Sequence, residues 1–89
     1  MRSLITVIGK DKIGIIYEVT SVLKESNVNV LDITQTLLDG FFTMIMLVDL
    51  SKLTMDFSEL KDNLDTLGSE LNVSIRIQQE ALFNSMHTI

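Results

Sequence analysis

Apolar and polar residues change period several times along the chain, and each change marks an element. Residues 3–8, Ser-Leu-Ile-Thr-Val-Ile, are β-formers that run up to Gly9, which predicts a strand followed by a break. Beyond the loop Gly9-Lys10-Asp11-Lys12, the apolar positions Ile15, Ile16, Val19, Val22 and Leu23 recur at three- and four-residue spacing. That spacing is one face of an amphipathic helix. Asp11 is placed to cap its first turn, and Ser26-Asn27 to end it. A β-rich run from about Val28 to Leu38 meets Asp39-Gly40, and a second run follows from Phe41 to Asp49. Asp-Gly between two such runs predicts a tight hairpin.

The period returns to helical after Met55. Asp56 and Glu59 stand at capping-box spacing, and Phe57, Leu60, Leu64, Leu67 and Leu71 form a single apolar stripe. Gly68 lies in this helix and is expected to weaken its last turn by about 1 kcal/mol relative to alanine. Residues 73–79 then alternate, with Val73, Ile75 and Ile77 on one side and Ser74, Arg76 and Gln78 on the other. Finally Leu82, Phe83, Met86 and Ile89 stand at helical spacing and predict a short helical tail.

The element order β-α-β-β-α-β predicts an α+β, ferredoxin-like domain over residues 1–80 and a tail over 81–89. Right-handed crossovers lead to a four-stranded antiparallel sheet of order 4-1-3-2, with both helices on one face. In such a sheet each strand should alternate apolar and polar. The first and third, the central pair, do not: Leu4 and Ile8 oppose Ile5 and Val7, and Phe41, Ile45 and Leu47 oppose Phe42, Met44, Met46 and Val48. Something must therefore cover the middle of the outer face. A second subunit, giving a homodimer, and the chain's own tail both fit.

Composition narrows the function classes. The 89 residues make one domain with little interior to spare, so a ligand site is expected at an edge or between subunits. The net charge is −5, and the seven basic residues are scattered, which speaks against nucleic-acid binding. The chain has no cysteine, and neither a signal-peptide pattern nor a run of the ~20 apolar residues that span a membrane. The expectation is a cytoplasmic protein. His87 is the single histidine, with no acidic neighbour in the sequence around it, so neither general-base catalysis nor a metal site has residues to build on. No cofactor is implied.

The stretch Val7-Ile8-Gly9-Lys10-Asp11-Lys12-Ile13-Gly14-Ile15-Ile16, followed by Val28-Asn29-Val30-Leu31-Asp32-Ile33, resembles the ACT domain. There a first strand leads through an Asp-x-x-Gly turn into helix one, and the second strand opens with an Asn-Ile-type step. The Lys-Asp-Lys loop, Gln35-Thr36 and the tail Leu82 to Ile89 resemble the small standalone ACT proteins of prokaryotes. The resemblance implies a non-enzymatic regulatory domain that binds an amino acid or related metabolite at an interface between two domains. It assigns ligand contacts to Lys10, Asp11, Ile13, Gly14 and Ile15 of the loop, and to Asn29 of the facing subunit; Lys12 joins them on its charge.

The residue chemistry suits that ligand. Unpaired N–H groups at a helix start attract a carboxylate, Lys12 adds a positive charge, Asp11 offers a partner for an ammonium group, and Gly14 leaves room for approach. Each residue also has a plainer reading: Asp11 as a cap, Lys10 and Lys12 as solvated charges, Gly14 as a packing glycine, Asn27 as a turn residue. The other function class is an interaction module that regulates a partner protein without a small ligand.

Overall fold

The computed structural model describes residues 1–10 and 14–80. Its elements are β1 (Arg2–Lys10), α1 (Ile15–Glu25), β2 (Asn29–Leu38), β3 (Phe41–Asp49), α2 (Phe57–Leu71) and β4 (Ser74–Gln79). The sheet order is β2-β3-β1-β4 and every pairing is antiparallel, as the crossover rule requires. The tail expected at 81–89 lies outside the described residues.

The alternating positions sort as their polarity dictates. Ile5 and Val7 of β1, Met44, Met46 and Val48 of β3, and Ile75 and Ile77 of β4 are buried together. Against them pack Ile15, Val19 and Leu23 of α1 and Leu60, Leu64 and Leu67 of α2. Met44 and Met46 are therefore core residues. On the opposite face Ile8, Phe41 and Ile45 are exposed.

Local chemistry ends each element. Asp39 and Gly40 have φ of 52° and 80°, the two positive values that a tight β2–β3 hairpin needs. Both helices close on an asparagine in the left-handed region, Asn27 (φ 61°) and Asn72 (φ 58°). At each, paired amides reach back into the last turn: Asn27 N–H to the Lys24 carbonyl and Val28 N–H to that of Leu23, and Asn72 N–H to Ser69 and Val73 N–H to Gly68. These are Schellman closures, which satisfy carbonyls the helix would otherwise leave bare. Asn27 is thus the turn residue its sequence suggests.

Two expectations need correction, and a third falls outside the described residues. β1 does not break at Gly9 but continues to Lys10, because Gly9 and Lys10 pair with Phe42 and Phe41. The N-cap position of α1 falls at Gly14 (φ 92°), and no side-chain bond to the helix start is made among the described residues; Asp11, expected in the cap position, lies outside them. The Asp56–Glu59 box forms no side-chain bond either; Asp56 caps α2 through its carbonyl, which accepts from the Glu59 and Leu60 amides.

Gly68 also does more than weaken a helix. A Cβ there would stand 2.8 Å from the Val73 carbonyl oxygen, and one on Gly9 would run into the Val73 side chain. The two glycines let the turn out of α2 press against the end of β1.

Gly68→Ala is expected to destabilise the domain by about 1–3 kcal/mol, against its helix propensity, because the added methyl overpacks the turn. Urea unfolding measures it; a gain in stability would show that the turn yields. Ser3 is fully buried, and its hydroxyl has no hydrogen-bond partner among the described residues. Ser3→Ala should therefore hold or raise stability, by up to about 1 kcal/mol in the same assay.

Candidate functional site

The β1–α1 corner follows from two backbone facts. β1 stays paired until Lys10, so the chain leaves the sheet at its extreme end. It enters α1 at Gly14, whose carbonyl takes the first helical bond from Glu18 N–H at 2.9 Å. A positive φ at that point is open to glycine at little cost and is strained for other residues. Its chain neighbours aside, no atom of the described residues lies within 4 Å of where a Gly14 side chain would begin. Gly14 is therefore a conformational glycine beside open space and not a packing glycine. The first amides of α1 have no intrahelical acceptor, and among the described residues no side chain caps them, which leaves a small positive pole at the helix start.

Of the expected contacts, Lys10 is exposed and Gly14 open, both at this corner. Asp11, Lys12 and Ile13 lie outside the described residues. Ile15 is 2% exposed, so its side chain belongs to the core and only its backbone faces the corner.

Asn29 lies elsewhere. It pairs with Asp49, which pairs with Arg2, whereas Lys10 pairs with Phe41 at the other end of the sheet. At strand rise the two ends are about 27 Å apart. Within one chain the candidate set does not converge.

Around Asn29 the structure builds a polar hollow of about 460 Å³, lined by Asn27, Asn29, Asp49, Ser51 and Lys52 with Val28. Asn27 Nδ2 donates to the Lys52 carbonyl at 3.0 Å. Asp49 accepts from the Ser51 amide at 3.1 Å and the Ser51 hydroxyl at 3.0 Å. These bonds, backbone first, hold its carboxyl below the usual carboxylate range, with a smaller contribution from the terminal ammonium 3.6 Å away. Asp49 and Ser51 were not foreseen as part of this hollow. The only signal was Asp49 at the end of an apolar strand, two residues before a serine.

A larger open groove, about 880 Å³, runs between α2 and the free edge of β4, past Lys61, Asp65, Ser69, Asn72, Ser74 and Arg76. Ile8, Val73, Ile75 and Ile77 line it beside these polar side chains, and its charges are mixed. It does not reach the β1–α1 corner residues Lys10 and Gly14.

A four-stranded antiparallel sheet, two helices on one face and a helix start capped by Gly14 define a small ferredoxin-like α+β domain. The ACT domain model matches residues 2–78, and the chain belongs to that family. A UPF0237 protein of Clostridium acetobutylicum is 53% identical over 89 residues, 100% of both chains. An ACT domain protein from Streptococcus pneumoniae, of known structure, has a TM-score of 0.81 at 40% identity, over 100% of this chain and 97% of its own. The regulatory subunit of aspartate kinase from Thermus thermophilus shares the fold alone, with a TM-score of 0.65 at 22% identity over 86% of this chain and 50% of that one. No helix among the described residues is long and apolar enough to cross a membrane.

The low Asp49 carboxyl sets a pH dependence. A folded-state value below the unfolded one adds stability above the unfolded range, and that contribution fades as pH falls through the folded value. Asp49→Asn should therefore lower the thermal midpoint at neutral pH, and the deficit should close as pH drops below about 4. A deficit that stays constant down to acid pH would remove the charge from the explanation.

Proposed function

We propose that this protein is a non-enzymatic regulatory domain that binds a small metabolite carrying a carboxylate and an ammonium group, an amino acid in the simplest case, at the interface of a homodimer. Lys10, Gly14 and the backbone of Ile15 form one side of the pocket, together with Asp11, Lys12 and Ile13. Asn29 of the partner subunit forms the other. Family membership supports the class of function, and the start of α1, uncapped by any side chain among the described residues, supports the ligand's charge.

The observation that carries the dimer is the separation of Asn29 from the corner. β2 is an edge strand with one side unpaired. If two copies pair antiparallel through β2, the start of one strand meets the end of the other. Leu38 ends β2 and pairs with Phe41, which pairs with Lys10. Asn29 of the partner subunit then arrives at the end of the sheet that holds Lys10 and Gly14. The same edge carries Ile33 (40% exposed) and Leu37 (64% exposed), which register with Met46 and Phe42 and so lie on the helix-side face. α1 adds exposed Ile16 and Tyr17. Joining two copies takes such side chains out of water, at about 25 cal/mol per Å².

A thermal-shift screen of the purified protein against amino acids and related metabolites, with the solution mass recorded, tests this reading. At a hundredfold excess over its dissociation constant, a ligand should stabilise the fold by about 2.7 kcal/mol. Asn29→Ala should abolish the shift and leave a dimer. A monodisperse monomer at micromolar concentration would overturn the shared site. A flat screen on an intact dimer would instead favour a module that regulates a partner protein directly.

A further inference from the structure

The free edge of β2 is irregular near its start and regular beyond. Val30 pairs with Val48 and Asp32 with Leu47, so Leu31 is an extra residue that bulges between them. A bulge bends a strand and interrupts its ladder. Regular edge backbone therefore runs over Asp32–Leu38, seven residues.

One bond tells which groups face that edge. The Ile33 amide donates to the Asp32 carboxylate at 2.9 Å, which turns it away from β3 and toward the open side. Such groups alternate along an antiparallel strand, so the amides and carbonyls of Gln35 and Leu37 turn the same way. Side chains alternate too. Ile33, Gln35 and Leu37 register with Met46, Met44 and Phe42 on the helix side, and Asp32, Thr34 and Thr36 with Leu47, Ile45 and Thr43 on the outer side.

A second copy that pairs antiparallel with this edge has few registers open to it. Edge-facing groups must meet edge-facing groups, and helix-side residues must meet helix-side residues. The two-fold axis must then pass through a residue and not between two. An axis at Thr34 or Thr36 keeps five regular residues in the pairing and sets Ile33 or Leu37 against Gln35. An axis at Gln35 uses all seven. Ile33 then faces the partner's Leu37 on each side of the axis, Thr34 faces the partner's Thr36, and the two Gln35 side chains face each other. Apolar, hydroxyl and amide positions each meet their own kind, the kind of cross-strand pairs that stabilise a sheet. The same register carries the exposed Asp39 of each copy past the other's bulge to the level of the hollow that Lys52 lines, so opposite charges approach at both ends.

From this match of length, polarity and charge we infer that β2 pairs with β2 of a second copy over Asp32–Leu38, about a two-fold axis at Gln35. On pairing, the carbonyl of the partner's Leu37 replaces the Asp32 carboxylate at the Ile33 amide. The inference rests on the edge pairing proposed above and fixes what that pairing brings together. Asn29 of the partner subunit arrives beside the Asp39-Gly40 turn, which adds the Asp39 carboxylate to the shared site.

The chain has no native cysteine, so single thiols on the edge report the axis directly. Thr34, Gln35 and Thr36 are all exposed, and cysteine at any of them leaves the core intact. Directly opposed residues have Cα atoms about 4.5–5.5 Å apart, within the span of a disulfide. In the full-length protein treated with diamide, Gln35→Cys should form a disulfide-linked dimer at least about tenfold faster than Thr34→Cys or Thr36→Cys. Those two variants, refolded together, should link to each other and not to themselves. A fastest self-link at Thr34 or Thr36 would move the axis and overturn the register, while leaving an edge dimer in place. A dimer by solution mass with no link at any of the three would take β2 out of the interface, and the inference with it; so would a monomer. A rapid Gln35→Cys link beside a flat ligand screen would uphold the register and remove only the ligand.

Discussion

The constraint on which the rest of the structure depends is the double pairing of β1. It hydrogen-bonds to β3 along its whole length and to β4 over Ser3–Ile8. Its inward residues Ile5 and Val7 have no exposed surface. Both crossovers start or end against this strand, so α1 and α2 are held side by side over the same face. The pinch at Val73, between Gly9 and Gly68, belongs to the same constraint. The turn out of α2 must come down close to the end of β1 if β4 is to pair with it, and only residues without a Cβ leave the space.

That constraint also determines where function can reside. The helix-side face is filled by Met44, Met46, Val48 and their partners. The periphery offers the start of α1, the polar hollow around Asn29 and Asp49, the groove along β4, the β2 edge and the outer stripe. In the proposed assembly the two halves of the pocket sit at opposite ends of one chain and meet only across a two-fold axis. Ligand occupancy and dimer geometry are coupled in such an arrangement, because a ligand held by both subunits stabilises the pairing it bridges.

Much of this was legible in the residues. Period and turn chemistry alone placed six elements, the Asp39-Gly40 hairpin and the strand order, because alternation, helical spacing and positive-φ residues act over a few neighbours. The lack of alternation in β1 and β3 marked the outer stripe before any coordinates. Where the sequence reading failed, the cause was a long-range contact. β1 runs through Gly9 because Phe41 and Phe42 pair with it, and Gly68 answers to Val73. Local propensity holds no information on any of these.

The candidate site divides along the same line. Residue types and the family resemblance singled out Lys10, Gly14 and Asn29, and by itself the sequence determined that the chain is a ferredoxin-like ACT domain. Only the tertiary structure decided that Asn29 and the β1–α1 corner lie at opposite ends of the sheet, that Ile15 offers backbone and not side chain, and that Asp49 and Ser51 complete the hollow beside Asn29. The physical reason is that distance across a sheet is set by register. Register results from all the inward-facing side chains finding one common packing, and no short stretch of sequence encodes it.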